Sequence, residues 1–255
     1  MRRIMLTVAY DGTNYHGWQI QPNGETIEGV LNRCLSELMR EDIEVIGASR
    51  TDSGVHALGN IAVFDTNCRM DAEKVAYALN ARLPEDIRIQ ESKEVEADFH
   101  PRHCDSRKTY EYRIYNAEFP MPTKRLYSYF TYVKLDVGRM KEAAACFVGE
   151  HDFKSFCSAD SQAENTVRLI ENVEVFKSDN QIVIRVTGRG FLYNMVRIMA
   201  GTLMEAGRGS IEPRDIERIL EAKDRAAAGP TAPACGLTLI KYEFLKKPVD
   251  TRGNV

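Results

Sequence analysis

Residues 45–64 read V-I-G-A-S-R-T-D-S-G-V-H-A-L-G-N-I-A-V-F and contain two apolar runs around a polar, glycine-containing loop. The runs at 43–46 and 61–64 are rich in β-branched residues, which favours two short strands with a loop between them. Inside the loop, Asp52 places a carboxylate two residues from the guanidinium of Arg50. This arrangement makes Asp52 the candidate reactive residue of the chain.

The simpler interpretation of the same loop is structural. Asp followed by Ser and Gly is common in turns, because the Asp side chain bonds its own backbone and Gly tolerates unusual dihedral angles. The T-D-S-G segment alone therefore favours a turn, and only its wider sequence context favours chemistry.

The composition is that of a folded protein. The chain has 255 residues, of which 44% are hydrophobic and 28% charged, enough for one large or two modest domains with their own cores. Disorder is expected only at residues 246–255. The N-terminus lacks the apolar segment and cleavage site of a signal peptide, and no apolar run is long enough to cross a bilayer. We therefore expect a cytoplasmic protein without a membrane anchor.

The cysteines and histidines do not predict a metal site. Six cysteines are scattered without a C-x-x-C pair, which argues against a zinc site or a disulfide framework. His100, His103 and Cys104 are close in sequence, but Pro101 prevents a regular helix face there and no carboxylate cluster adjoins them. Structural or surface histidines are expected at this place, and no metal is predicted.

Charge alone does not identify a partner, since the net charge is −3. Lys and Arg are nevertheless concentrated in residues 102–125 and again in 185–208. Such clusters are either solvated faces or contacts to phosphates, because nucleic-acid binding depends on local rather than average charge.

The order of elements predicts an α+β fold. We expect two pseudo-symmetric layers, each a mainly antiparallel mixed sheet with helices on one face, and a catalytic cleft between them. The expected domains are residues 1–103 and 104–255. Strands are expected at 3–10, 43–46, 60–65, 87–94, 106–116, 167–176, 181–187 and 236–244, and helices at 27–38, 71–81, 137–147, from 188 onward and at 213–222.

Tyr110 and Arg197, both in the second half of the chain, each have two interpretations. Period-two alternation puts Tyr110, Tyr112 and Ile114 on one face of a strand, where tyrosines usually pack across strands. Arg197 lies on an otherwise apolar helix, so its charge must reach solvent or pair with another group.

Residues 47–57, G-A-S-R-T-D-S-G-V-H-A, resemble the G-x-x-R-T-D-x-G-V-H-A segment of the tRNA pseudouridine synthase A family. The resemblance continues in order and spacing from Ile4 to Phe244. Gly229 stands where the family pattern has alanine. The further similar stretches are Y-D-G-T-N-Y-H-G-W-Q-I-Q at 10–21, K-T-Y-E-Y-R-I-Y-N at 108–116, F-L-Y-N-M-V-R-I-M-A-G at 191–201 and G-P-T-A-P-A-C-G-L-T-L at 229–239.

The resemblance implies a role for each candidate residue. The family's nucleophile matches Asp52, the arginine that helps to hold the flipped-out nucleotide matches Arg50, the tyrosine that contacts the target base matches Tyr110, and the arginine that pairs with the aspartate matches Arg197. The stretch at 10–21 is implied to shape the wall of the active site.

The implied reaction converts uridine to pseudouridine in the tRNA anticodon stem-loop, at positions 38, 39 and 40. It needs no cofactor, and the family works as a homodimer. Three routes stay open for Asp52: addition to uracil C6, attack at C1′, or deprotonation of the sugar.

Two other functions are compatible with parts of the sequence. A noncatalytic module that binds structured RNA would keep the basic clusters and tyrosines but would not need Asp52 within R-T-D. An aspartyl-phosphate phosphotransferase needs a second carboxylate beside the nucleophile to hold Mg²⁺, and Ser53 and Gly54 offer none.

Overall fold

The computed structural model describes residues 1–158 and 163–245, and these form an α+β fold. The disordered tail expected at 246–255 lies outside the described residues. The strands are β1 (Arg2–Tyr10), β2 (Ile46–Gly47), β3 (His56–Thr66), β4 (Ile87–Val95), β5 (Ser106–Asn116), β6 (Tyr129–Thr131), β7 (Gly149–Asp152), β8 (Val167–Ser178), β9 (Gln181–Gly188) and β10 (Leu237–Phe244). The helices are α1 (Ile27–Met39), α2 (Ala72–Asn80), α3 (Val137–Ala145), α4 (Met195–Arg208) and α5 (Asp215–Ala222).

The chain packs as two compact units. Unit 1 consists of Met1–Ser106 and the C-terminal segment from Leu239, and unit 2 of Arg107–Thr238. The closing strand thus packs with the first unit. The two domains expected at 1–103 and 104–255 stay a prediction, because a compact unit is not by itself a domain that folds alone.

The sheet of unit 1 has the strand order β4, β1, β3, β10, with β2 paired to β3. Strand β1 runs antiparallel to both β3 and β4, so that Leu6 lies opposite Ala62 on one side and Ser92 on the other. Helix α2 covers the face of the sheet that carries the Ser92 side chain. The Ser92 hydroxyl donates to the carbonyl of Ala72 and accepts from the amide of Ala76, both in α2.

The other face of this sheet has its own apolar cluster. Met5, Ile61 and Val63 are buried there, and the partly buried rings of Tyr242 and Phe244 from β10 pack against them. Apolar side chains on both faces explain why the strands of unit 1 read as apolar runs rather than as a clean alternation.

Helix α1 starts as the sequence predicts. The Thr26 hydroxyl accepts a hydrogen bond from the amide of Gly29 at 3.2 Å, which satisfies one of the free amides of the first turn. The apolar stripe of the helix is buried and includes Val30, Leu31 and Leu35.

The strand expected at 43–46 is wrong in extent, because only Ile46–Gly47 pairs with β3. The amide of Ile43 donates to the Ser36 hydroxyl at 3.0 Å, and the amide of Val45 donates to the Asn32 side chain at 2.9 Å. Two side chains of α1 therefore accept the hydrogen bonds of the amides that a longer strand would use for pairing.

The sheet of unit 2 has the strand order β5, β9, β8, β7. These neighbours are antiparallel, while the short β6 runs parallel to β5. The expected mainly antiparallel mixed sheet is therefore confirmed. Residues 149–152, expected only to break a helix, form β7 instead.

Helix α4 begins at Met195, so the start expected at residue 188 is wrong. Gly190 has a φ of +147° and Asn194 a φ of +60°, neither of which is helical. The helix is deeply buried, and a Cβ on Gly201 would lie 1.8 Å from the carbonyl oxygen of Pro230. Glycine is required there for a close approach of two backbones.

None of the helices within the described parts of the chain combines the length and the apolar character needed to cross a membrane.

Candidate active site

The loop that carries Asp52 connects β2 to β3 in unit 1. At its start, the amide of Ala48 donates to the carbonyl of Ile61 at 2.7 Å. At its tip, the amide of Val55 donates to the carbonyl of Asp52 at 3.1 Å, and Gly54 adopts a φ of +76°. Asp52 therefore opens a tight turn, as the structural interpretation of T-D-S-G expects.

Residues that follow β1 hold the loop backbone from one side. The amide of Trp18 donates to the carbonyl of Thr51 at 3.0 Å, and the amide of Gly54 donates to the carbonyl of Tyr15 at 3.3 Å. A Cβ on Gly17 would lie 2.5 Å from the Thr51 oxygen. The N-terminal stretch at 10–21 thus acts as a brace for the turn that contains Asp52.

The ring of Trp18 is fully buried. It lies against Gly47, where a Cβ would come within 2.2 Å of the indole nitrogen. Trp18 is therefore part of the core beneath the loop, and its bond to the loop comes from its backbone amide.

The end of the loop is fixed by His56, which is buried at the start of β3. Its Nδ1 lies 3.1 Å from the amide nitrogen of Gly12 and 3.0 Å from Oδ1 of Asp11. These contacts tie the first residue of β3 to the turn after β1.

Asn60 and Tyr10 support the loop from the sheet. The sequence assigns Asn60 no role, and it connects Tyr10 with the site only through the stretch at 10–21 that the resemblance implies to shape the active-site wall. The Asn60 amide donates to the carbonyl of Ser49 at 2.9 Å, and the Tyr10 hydroxyl lies 2.8 Å from Oγ1 of Thr51. The available signal was the polar Asn60 at the start of the strand expected at 60–65, since a buried amide needs hydrogen-bond partners.

Asp52 and Arg50 both lie in this loop, two residues apart in the chain. Asp52 is half-buried and Arg50 is exposed. A half-buried carboxylate on a braced turn can meet a substrate with little motion of its own backbone, and an exposed arginine beside it can reach a phosphate.

Tyr110 and Arg197 both belong to unit 2. Tyr110 lies on β5 opposite Val186 and is 7% exposed. Its ring meets the edge of the Phe191 ring at a centroid distance of 5.0 Å. Tyr112 and Ile114 are fully buried on the same face, so the predicted alternation of this strand is confirmed.

Arg197 lies in the first turn of α4 and is half-buried. Its Nε donates to the carbonyl of Ala232 at 2.8 Å, and its Nη1 donates to Oδ1 of Asn194 at 2.7 Å. These acceptors fix the direction of the guanidinium.

Within the described residues, no group of three or more His, Cys, Asp or Glu side chains is arranged to hold a metal ion. His100 and His103 stack with ring centroids 4.0 Å apart, and the Cys104 thiol donates to the carbonyl of His100 at 3.3 Å.

A family model described as tRNA pseudouridine synthase matches residues 6–103 and 143–244. The chain belongs to this family. The chain is similar to three relatives named tRNA pseudouridine synthase A, and each alignment covers 96% of this chain and 100% of the relative. The relatives come from Ruminiclostridium cellulolyticum (48% identical over 245 residues), Acetivibrio thermocellus (47% over 244) and Thermoanaerobacter sp. (46% over 244). As a pseudouridine synthase, the protein is an isomerase.

The segments matched by the pseudouridine synthase model contain Asp52, Arg50 and Arg197, whereas Tyr110 lies between them. The near-complete alignments with the three relatives extend over 244 or 245 residues.

Proposed function

We propose that this pseudouridine synthase isomerises uridine to pseudouridine at positions 38, 39 and 40 of the tRNA anticodon stem-loop, with Asp52 as the nucleophile. The observation that carries the proposal is the braced turn at Asp52, in a family whose members are named for this reaction on tRNA. The loop offers a half-buried carboxylate on a backbone that Trp18, Tyr15 and Ile61 hold by hydrogen bonds.

The reaction conserves all atoms of the nucleoside. The bond between N1 and C1′ breaks, the uracil turns, C5 bonds to C1′, the proton leaves C5, and N1 gains a proton. A carboxylate suits this sequence because it can add to an electrophilic carbon and later leave. Addition to C6, attack at C1′ and deprotonation of the sugar all place the same demand on Asp52, which must be ionised when it meets the nucleoside.

The other candidates serve the same uridine. Tyr110 contacts the uracil through its ring or hydroxyl and relays the C5 proton. Arg50 takes the space or phosphate contacts vacated by the extruded nucleotide, since an enzyme that acts on a base must first remove it from the stack. The role of Arg197 as the cationic partner of Asp52 rests on the family likeness.

The substrate and assembly belong to the same proposal. Structured RNA is recognised largely by shape and phosphate contacts, which suits the Lys and Arg clusters at 102–125 and 185–208. By likeness to the family, the enzyme acts in the cytoplasm as a homodimer.

The test replaces the carboxylate of Asp52 by an amide of the same shape. Asp52→Asn should lower pseudouridine formation by at least about 10⁴-fold, the scale of loss when a nucleophile is removed, while tRNA binding persists. The measurement is the pseudouridine content of a transcribed tRNA by mass spectrometry, with binding followed by filter retention. Asp42→Asn, an exposed carboxylate in the same unit, should keep the normal rate and serves as the matched control.

Undiminished turnover by Asp52→Asn would refute the nucleophile. If the unmodified protein binds tRNA but forms no pseudouridine, the noncatalytic RNA-binding module is the correct function instead.

A further inference from the structure

The side chain of Asn60 is fully buried in β3, within a run of apolar residues. A buried amide without partners would cost about 1–3 kcal/mol, so its hydrogen bonds show what it is placed to do. Its Nδ2 donates to the carbonyl of Ser49 at 2.9 Å, and its Oδ1 accepts from the amide of Ile61 at 2.9 Å. The first bond crosses from the rigid sheet to the loop, three residues before Asp52.

Tyr10 makes a second bond from the sheet to the same loop. Its hydroxyl lies 2.8 Å from Oγ1 of Thr51, and Nδ2 of Asn60 lies 3.5 Å from that hydroxyl. Thr51 and Tyr10 are both buried. Burial raises the pKa of Tyr10 above its ordinary value, so the phenol stays neutral in the physiological range and remains a donor as well as an acceptor.

The two bonds hold the loop at Ser49 and at Thr51, the residues on either side of Arg50. Asn60 holds the carbonyl of Ser49, and Tyr10 holds the side chain of Thr51, the residue next to the carboxylate. Backbone bonds also hold this part of the loop, from the Trp18 amide to the carbonyl of Thr51 and from the Ala48 amide to the carbonyl of Ile61. Asn60 and Tyr10 add the side-chain bonds, and they start from two neighbouring strands of one sheet.

We propose that Asn60, assisted by Tyr10, is a positioning residue that sets the direction in which Asp52 meets the substrate. This inference rests on the proposed function of Asp52. Asn60 touches the loop backbone rather than the substrate, so its loss should act on the rate of the chemical step and leave tRNA affinity unchanged. A displacement of about 1 Å in a reacting group can cost about 100-fold in rate.

The test compares Asn60→Leu with Asn116→Leu. Asn116 is also a buried amide, and it bonds the carbonyls of Thr131 and Val133 at 2.9 and 2.8 Å and the amide of Leu135 at 3.2 Å, all within unit 2. Both variants lose buried hydrogen bonds of the same kind, so both should lower the free energy of unfolding. Only Asn60→Leu should change catalysis.

The measurement is steady-state pseudouridine formation over a range of concentrations of a transcribed tRNA, at a temperature where circular dichroism shows both variants folded. Asn60→Leu should lower kcat by about 10- to 100-fold with the KM and the tRNA dissociation constant unchanged. Asn116→Leu should keep the normal kcat. Equal kcat values for the two variants, or a loss in Asn60→Leu that appears only in KM, would overturn the inference.

If Asn60→Leu does not fold, Tyr10→Phe tests the inference in its place. It removes only the hydroxyl and keeps the ring, whose centroid lies 5.9 Å from that of Trp18. We expect a several-fold lower kcat with unchanged KM, and an unchanged kcat would overturn the inference. Failure of the proposed function is seen separately, because Asp52→Asn would then remain active whatever Asn60 does.

Discussion

At the scale of single residues, Tyr110 has two separable parts. Its ring packs edge-on against Phe191 at 5.0 Å, and Tyr110→Phe keeps that contact while removing the hydroxyl. If the hydroxyl relays the C5 proton, the single-turnover rate should fall by about 10²- to 10⁴-fold, as for other positioned acid–base groups, with tRNA binding retained. Tyr115→Phe, on the opposite face of the same strand, is the control and should keep the normal rate. A normal rate in Tyr110→Phe would leave the ring alone as the functional part of this residue.

The sequence predicts the loop that carries Asp52 better than it predicts the side chains that support this loop. Asp52 and Arg50 are two residues apart, so their proximity needs no knowledge of the fold. The bond from Asn60 to Ser49 joins residues eleven positions apart and exists only because the loop folds back over β3. Period-two alternation assigns Asn60 a place on a strand, but not a partner.

At the scale of elements, the contact between Gly47 on β2 and the Trp18 ring gives a prediction of stability. A Cβ on Gly47 would lie 2.2 Å from the indole nitrogen, so Gly47→Ala should lower the free energy of unfolding by about 1–3 kcal/mol, as overpacked cores do. In Gly59→Ala, on β3, the new Cβ would meet only Cγ2 of Thr7 at an ordinary 3.6 Å. That control should change the free energy of unfolding by less than about 1 kcal/mol, and urea unfolding measures both. Equal midpoints for the two variants would show that Trp18 moves aside at little cost.

The elements also show where sequence patterns succeed and fail. Helix α1 was predictable because its cap, Thr26, and its apolar spacing are both local. The strand at 43–46 was not, because Asn32 and Ser36 of α1 bind its amides. The sequence misplaces the start of α4 because apolar residues already stand at 191–193, while the positive φ of Gly190 and Asn194 is not visible in hydrophobic spacing.

At the scale of the whole molecule, the end of the chain completes the unit formed by its beginning. Strand β10 lies beside β3, and the rings of Tyr242 and Phe244 pack on the cluster that contains Met5 and Val63. The Tyr242 hydroxyl also donates to the carbonyl of Pro101 at 2.8 Å. Unit 1 therefore cannot complete its core until the last strand has been synthesised.

A chain that ends at Gly236 tests this dependence, and the single tryptophan reports on it because Trp18 is buried in unit 1. Loss of two large apolar side chains from the cluster should lower the free energy of unfolding of unit 1 by at least about 3 kcal/mol, seen as an earlier urea transition in Trp fluorescence. A chain that ends at Leu245 is the control: it keeps β10 and the bond from the Leu245 amide to the carbonyl of Asp105 at 2.9 Å, and should unfold as the full chain does. Coincident transitions for the two truncated chains would mean that β1, β3 and β4 hold the core of unit 1 without the closing strand.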